Sequence, residues 1–266
     1  MPEREPVGAG RYAALVVLGD SLSDNGNAGR FSDGPVWVER LADALGLPLR
    51  PASQGGTNHA VGGARAAGGP YDLRSQAAAL LAARRSRLDP AALHVVWGGA
   101  NDLLATWQAP DRDAAAREAA SAIGAVVDRL AAAGAQHLLV PNLPDIGKAP
   151  AVGLLGPAWA AEARRLSLVY DAALERELAA IDARHGLRVR RLDVFALADR
   201  VAAEPGAFGF TDVTRPCRGL LGGPGPPCAT ALFWDEIHPT AAAHARLGEA
   251  ALRAIGIRHR TPARPL

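Results

Sequence analysis

A three-layer α/β/α sandwich around a central parallel sheet is the fold class this sequence predicts, on three observations. Short apolar runs alternate with Ala-rich stretches of helical length. No polar linker interrupts the alternation, and 266 residues can bury one substantial core. Such a β-α alternation gives parallel strands joined by right-handed crossovers, with helices on both faces. One domain over 1–266 is expected, with residues 1–11 as a flexible N-terminal extension.

The first strand candidate, Ala13 to Leu18, is wholly apolar and ends at Gly19-Asp20-Ser21-Leu22-Ser23-Asp24. Pro48 to Pro51 is a second candidate. Asp72 to Arg85 reads as a helix, and Arg84-Arg85-Ser86-Arg87 closes it with cations near its negative end. Leu93 to Trp97 is a strand, Asp113 to Ala133 a helix, His137 to Pro141 a strand, Trp159 to His185 a helix and Arg188 to Leu192 a strand. Thr240 to Ile255 reads as a last Ala-rich helix, with Pro239 suited to a first helical position.

Composition excludes several functions. The net charge is +2 with basic residues scattered among acids, so neither a nucleic-acid stripe nor a polybasic membrane anchor is present. No apolar run reaches the roughly 20 residues that span a bilayer. Met1 to Arg11 lacks a hydrophobic signal core, so either the protein is not exported or its leader has been removed. Cys217 and Cys228 flank Gly222-Gly223-Pro224-Gly225-Pro226-Pro227. A disulfide there would pin the loop by about 3 kcal/mol in the chain-entropy model and imply a secreted or periplasmic location. Free thiols would imply the cytoplasm.

The chemistry concentrates at the two ends. Ser21 follows a buried strand, and Asp235-Glu236-Ile237-His238-Pro239-Thr240 lies near the C-terminus. A serine hydroxyl needs a base to take its proton as it attacks, and a neutral imidazole suits that task, which makes His238 the candidate base. A carboxylate must then hold the imidazole's tautomer and stabilise the imidazolium; Asp235 and its rival Glu236 are both close enough. Taken alone, Gly19 to Ser21 could be a plain turn with a helix cap. Two further blocks change the odds, Asn58-His59-Ala60-Val61-Gly62-Gly63-Ala64 and Trp97-Gly98-Gly99-Ala100-Asn101-Asp102. In isolation their glycines would be turn residues and Asn101 a helix cap.

With four ordered blocks on Ser21, Gly63, Asn101 and His238, the chain resembles the GDSL or SGNH hydrolase family from about Val16 to Thr240. The strings Gly209-Phe210-Thr211-Asp212-Val213-Thr214-Arg215-Pro216-Cys217 and Phe233-Trp234-Asp235-Glu236-Ile237-His238-Pro239-Thr240 look like the bacterial branch of secreted esterases, lecithinases and haemolysins, including esterase autotransporter passenger domains. The resemblance implies a flavodoxin-like SGNH-hydrolase fold, with Ser21, Asp235 and His238 catalytic and Asp235 preferred over Glu236. It implies an oxyanion hole of the Ser21 amide, the Gly63 amide and the Asn101 side chain. Gly63 is chosen over Gly62 because the family's glycine falls five residues after the asparagine matched by Asn58.

The implied protein is a monomeric serine esterase or lipase acting on short to medium acyl chains through an acyl-enzyme. It needs no cofactor or metal, and its substrate is a small-molecule or lipid ester. Phospholipase, lysophospholipase or acyltransferase activity on the same site are alternatives, and a non-catalytic binding module is the alternative from another class. Phosphoryl transfer from Asp20 fits poorly, since position 22 is leucine and the spacing to Asp24 is wrong. The Gly-x-Ser-x-Gly string of α/β-hydrolases is absent. The long connection Glu204 to Leu232 leads into Asp235 and is expected to wall the substrate pocket, with Phe208, Phe210 and Phe233 as apolar contacts. Core packing explains each phenylalanine individually, and Leu22, Leu103 and Leu104 carry the same ambiguity.

Overall fold

Period-two burial along the first strand decides which helices go on which side. In a computed structural model that describes residues 9–257, β1 (Leu15–Gly19) is buried at every position. Val16 and Leu18 pack into one hydrophobic cluster, while Leu15 and Val17 pack into another. Most of the extension expected over 1–11 lies outside the described residues. α1 (Trp37–Leu45) packs on the second face through Trp37, Val38, Leu41 and Leu45. α2 (Leu73–Ala83), capped by the Asp72 carboxylate, packs on the first. β2 (Leu93–Trp97) pairs in parallel with β1 over its whole length, Leu15 opposite Leu93 through Gly19 opposite Trp97.

α3 (Ala100–Ala105) and α4 (Arg112–Ala132) follow, then β3 (His137–Pro141), the one-turn α5 (Pro150–Gly153), the long α6 (Pro157–His185) and β4 (Arg190–Leu192). α4 and α6 join α2 on the first face. α7 (Val194–Ala203) and α8 (Ala241–Ala254) join α1 on the second. The sheet runs β1-β2-β3-β4, all parallel, so the predicted three layers are present.

The free edge of β1 is covered by residues 57–61, not by Pro48 to Pro51. Val17 N–H donates to the Thr57 carbonyl (3.0 Å), and His59 N–H donates to the Val17 carbonyl (2.7 Å). Counting this short parallel segment, the order in chain sequence becomes 2-1-3-4-5, the flavodoxin-like order, with its reversal at β1. Pro51 makes only an isolated bridge to Asn58, because a proline has no N–H to extend a ladder.

The connection from Glu204 to Leu232 is more regular than expected. β5 (Asp212–Pro216) pairs in parallel with β6 (Ala231–Phe233), and a disulfide joins Cys217 to Cys228 across the loop between them, with a Cα–Cα distance of 4.9 Å. α8 begins at Ala241 with Thr240 as its cap, so Pro239 lies just outside it. His244, a polar residue within this last helix, is fully buried and accepts the Trp37 N–H at Nδ1 (3.3 Å). No helix among the described residues is long and apolar enough to cross a membrane.

One half-buried acid on α6 sets a pH dependence. Asp171 accepts Leu143 N–H at Oδ1 (2.9 Å) while its Oδ2 has no partner among the described residues. Burial pushes its pKa up to about 7, with the Leu143 N–H opposing and Asp193 adding to the rise. An acid whose folded pKa exceeds its unfolded value costs stability as pH climbs between the two. Asp171→Asn is therefore expected to stabilise the fold at pH 8 by on the order of 3 kcal/mol, with the gain gone near pH 4. Urea unfolding of both proteins at the two pH values checks this, and an equal gain at both would contradict it.

Candidate active site

The end of β1 is held from two sides before Ser21 is reached. Gln76 of α2 accepts the Gly19 N–H at Oε1 (2.9 Å) and donates from Nε2 to the Gly19 carbonyl (2.8 Å). The chain then turns sharply. Ser23 and Asp24 N–H both donate to the Asp20 carbonyl (3.1 and 3.0 Å), and Leu22 N–H donates to Asp20 Oδ1 (3.0 Å). Ser21 is thereby presented at the carboxyl end of the sheet, where the strand order reverses and ligands of such sheets sit. Burial lifts the Asp20 pKa to about 6, opposed by the Leu22 N–H and by His238.

Asp24 fastens this turn to the glycine loop. Its carboxylate accepts four N–H groups, Gly26 and Asn27 at Oδ1 (2.8 and 2.7 Å), Ala28 and Gly62 at Oδ2 (3.0 and 2.9 Å). That fully employed carboxylate is fixed as a scaffold, which removes the geometric ground for phosphoryl transfer from Asp20 with Asp24 as its partner. Asn58 adds a second stitch, donating to the Ser23 carbonyl (2.8 Å) and accepting from Ala60 N–H (3.0 Å).

Asp235 and His238 lie on the seven-residue connection between β6 and α8, closed by Trp234 N–H to the His238 carbonyl (2.8 Å). His238 Nε2 is 2.9 Å from Ser21 Oγ, and Nδ1 is 3.0 and 2.9 Å from the two Asp235 oxygens. Asp235 Oδ1 also accepts the N–H groups of Ile237 (2.8 Å) and His238 (2.6 Å). Burial pushes the Asp235 pKa up, but the His238 ring and these two N–H groups outweigh it and hold the carboxyl below its ordinary value. It is an anion that can only accept, so Nδ1 carries the imidazole proton and Nε2 is free to receive one from Ser21. Glu236 faces elsewhere, its Oε1 accepting Leu221 N–H (3.2 Å).

Asn101 lines the same cavity as Ser21, and Gly63 follows Gly62 in the loop that Asp24 holds. Gly62 has spent its N–H on Asp24, and a Cβ there would stand 2.3 Å from the Phe31 ring. Phe31 in turn packs on the His238 ring at 5.1 Å between centroids. Gly63 has φ +78, a conformation that favours glycine, and its N–H has no acceptor among the described residues. The Ser21 N–H is likewise without an acceptor among them. Asn101 donates one Nδ2 proton to the Ala64 carbonyl (2.9 Å), which leaves the second available.

Ser21, Asn101 and His238 line a cavity of about 160 Å³ that continues between the sheet and α7 and α8 past Trp97, Leu197, Val201 and Leu247. Phe210, Phe233, Leu22 and Leu104 line it too, whereas Phe208 is not among its walls and Leu103 is buried in the opposite cluster. Gln76, Phe31 and the structural role of Asp24 escaped the sequence. A lone glutamine in the Ala-rich α2 was a usable signal for the first; nothing local marks Phe31.

The family profile described as GDSL-like Lipase/Acylhydrolase matches residues 15–251. Phosphatidylcholine-sterol acyltransferase of Aeromonas hydrophila is 26% identical over 90% of this chain and 89% of its own. Lipase 1 of Photorhabdus luminescens is 35% identical over 53% of this chain but 24% of its own length. Esterase EstA of Pseudomonas aeruginosa is 30% identical over 86% of this chain and 44% of its own. The chain thus spans less than half of these last two relatives. Among solved structures, Axe2, an acetylxylan esterase from Geobacillus stearothermophilus, superposes with a TM-score of 0.57 at 19% identity, covering 96% of this chain and all (100%) of the other.

Proposed function

The chain belongs to the GDSL-like lipase/acylhydrolase family, and from that premise we propose that it is a serine esterase hydrolysing carboxylic esters of short to medium acyl chains. The observation that carries the reading is the unbroken hydrogen-bond chain from Ser21 Oγ through the His238 ring to Asp235, at the mouth of an apolar cavity. Ser21 Oγ attacks the ester carbonyl carbon while its proton passes to His238 Nε2. The oxyanion accepts from the Ser21 and Gly63 amides and the free Asn101 Nδ2 proton. As the tetrahedral species collapses, the C–O bond to the alcohol breaks and His238 returns its proton to the leaving oxygen. Water then attacks the acyl-Ser21 with His238 again as base, releasing the carboxylic acid.

The size of the cavity supports a short acyl chain. At about 160 Å³ it matches the size of an engineered apolar cavity of roughly 150 Å³ that takes up benzene, which is room for about six carbons. Hydrolysis of p-nitrophenyl esters from acetate to palmitate, with EDTA present, is expected to peak near hexanoate. Loss of activity in EDTA would point to metal-dependent chemistry and against this reading. The alignment with a phosphatidylcholine-sterol acyltransferase over most of both chains favours one second reading, transfer of the acyl group to an alcohol instead of water. Product analysis with an added alcohol separates the two. The disulfide supports a secreted or periplasmic location.

Asn101 tests the oxyanion assignment. Its bond to the substrate oxygen strengthens as charge develops, so Asn101→Ala is expected to lower kcat by about 10²- to 10³-fold with KM nearly unchanged. A rise in KM alone would assign Asn101 to ground-state binding.

A further inference from the structure

Five of the large apolar side chains exposed among the described residues collect around one loop. Leu154 (49% exposed) and Leu155 (53%) directly follow α5, Leu220 (36%) and Leu221 (80%) lie in the disulfide-closed loop, and Ile237 (44%) sits beside His238. Glu236 ties the three segments together. Its carbonyl accepts Ala151 N–H from α5 (2.8 Å), and its Oε1 accepts Leu221 N–H (3.2 Å). The two leucine pairs are thus fixed on either side of the turn that carries His238. Leu221 also has φ +52. A leucine this exposed in water is unfavourable unless an apolar surface covers it.

Charge and continuity say what covers it. Among Arg215, Arg218 and Lys148, Arg215 pairs with Asp212 and Lys148 with Asp145 and Asp199, whereas Arg218 has no carboxylate within salt-bridge distance among the described residues. Arg218 is exposed, with its guanidinium 4.9 Å from the centre of the Trp234 ring. Ile237 belongs both to the exposed rim and to the cavity wall beside Ser21, so one apolar side chain links solvent to the cavity.

We propose that this rim is a docking surface for aggregated lipid, from which an ester's acyl chain passes over Ile237 into the cavity without crossing water. The inference rests on the esterase reading of the site. Leu154, Leu155, Leu220 and Leu221 enter the apolar layer, and Arg218 meets headgroup phosphate.

The test uses the Ser21→Ala protein, which leaves vesicles intact, in co-sedimentation with phosphatidylcholine vesicles and with vesicles also containing phosphatidylglycerol. Binding is expected to both, tighter to the second. Leu220→Ser with Leu221→Ser, and separately Leu154→Ser with Leu155→Ser, are each expected to weaken it by about tenfold or more. In the protein with Ser21 intact, the same leucine changes are expected to leave kcat/KM for monomeric p-nitrophenyl butyrate within about twofold, since none of the four lines the cavity. Vesicle binding that is absent, or unaffected by both leucine pairs, would overturn the proposal. So would a dimer seen by light scattering that the leucine changes dissolve, which would make a second copy of the chain the occupant. Leucine-dependent vesicle binding without any ester turnover would support the surface and overturn the esterase reading alone.

Discussion

Replacing Ser21 by alanine is expected to lower kcat for ester hydrolysis by about 10⁴- to 10⁶-fold while leaving the fold intact. The side chain is only 7% exposed and its one hydrogen bond is to His238 Nε2, so its loss removes no support from the turn. That turn is built from Asp20, Asp24 and Gln76. Any turnover left would come from oxyanion donors and substrate orientation acting on water. An unchanged circular dichroism spectrum and melting midpoint, alongside lost turnover, is the expected pair of results. Retained turnover would move the nucleophile elsewhere.

His238→Ala is expected to cost nearly as much, because without a base Ser21 attacks as a neutral hydroxyl. The two losses should not add. Ser21 and His238 act as one unit, so the double variant is expected to be no slower than the worse single variant by more than about tenfold. Additive losses would mean that the two act in separate steps. The Phe31 ring packed on the imidazole and the Asp235 oxygens on its far side hold the ring to one position. Removing His238 therefore leaves the half-buried Asp235 with only its two backbone N–H donors, and some loss of stability is expected with the loss of rate.

Much of this was legible because short-range patterns govern it. Short, largely apolar strands such as Leu93–Trp97 and the Ala-rich α4 and α6 form within a residue or two of where their periodicity places them. The four site blocks were legible because each needs special local chemistry. Gly63 takes a positive φ, and Asp235 caps its own turn while holding His238. What escaped depends on distant neighbours. Pro48 to Pro51 looked apolar enough for a strand, but the edge of β1 went to residues 57–61, which have the N–H groups to pair. His244 reads as a polar residue on a helix, yet α8 packs that face on α1 and buries it. The choice of Asp235 over Glu236 could not come from spacing, since it depends on Glu236 being engaged by Leu221. Phe31 reaches the imidazole from a loop more than two hundred residues away in sequence, and no local pattern announces such a contact.

The central claim is that Ser21 carries the acyl group between two half-reactions. Its most direct test is acid quench of the wild-type protein during turnover of p-nitrophenyl hexanoate, followed by intact-mass and peptide mass spectrometry. The expected result is one added hexanoyl group on the peptide containing Ser21, absent from Ser21→Ala and accumulating in step with the nitrophenol burst. Acylation at another residue, or a burst with no covalent adduct under conditions that preserve acyl-serine, would contradict it.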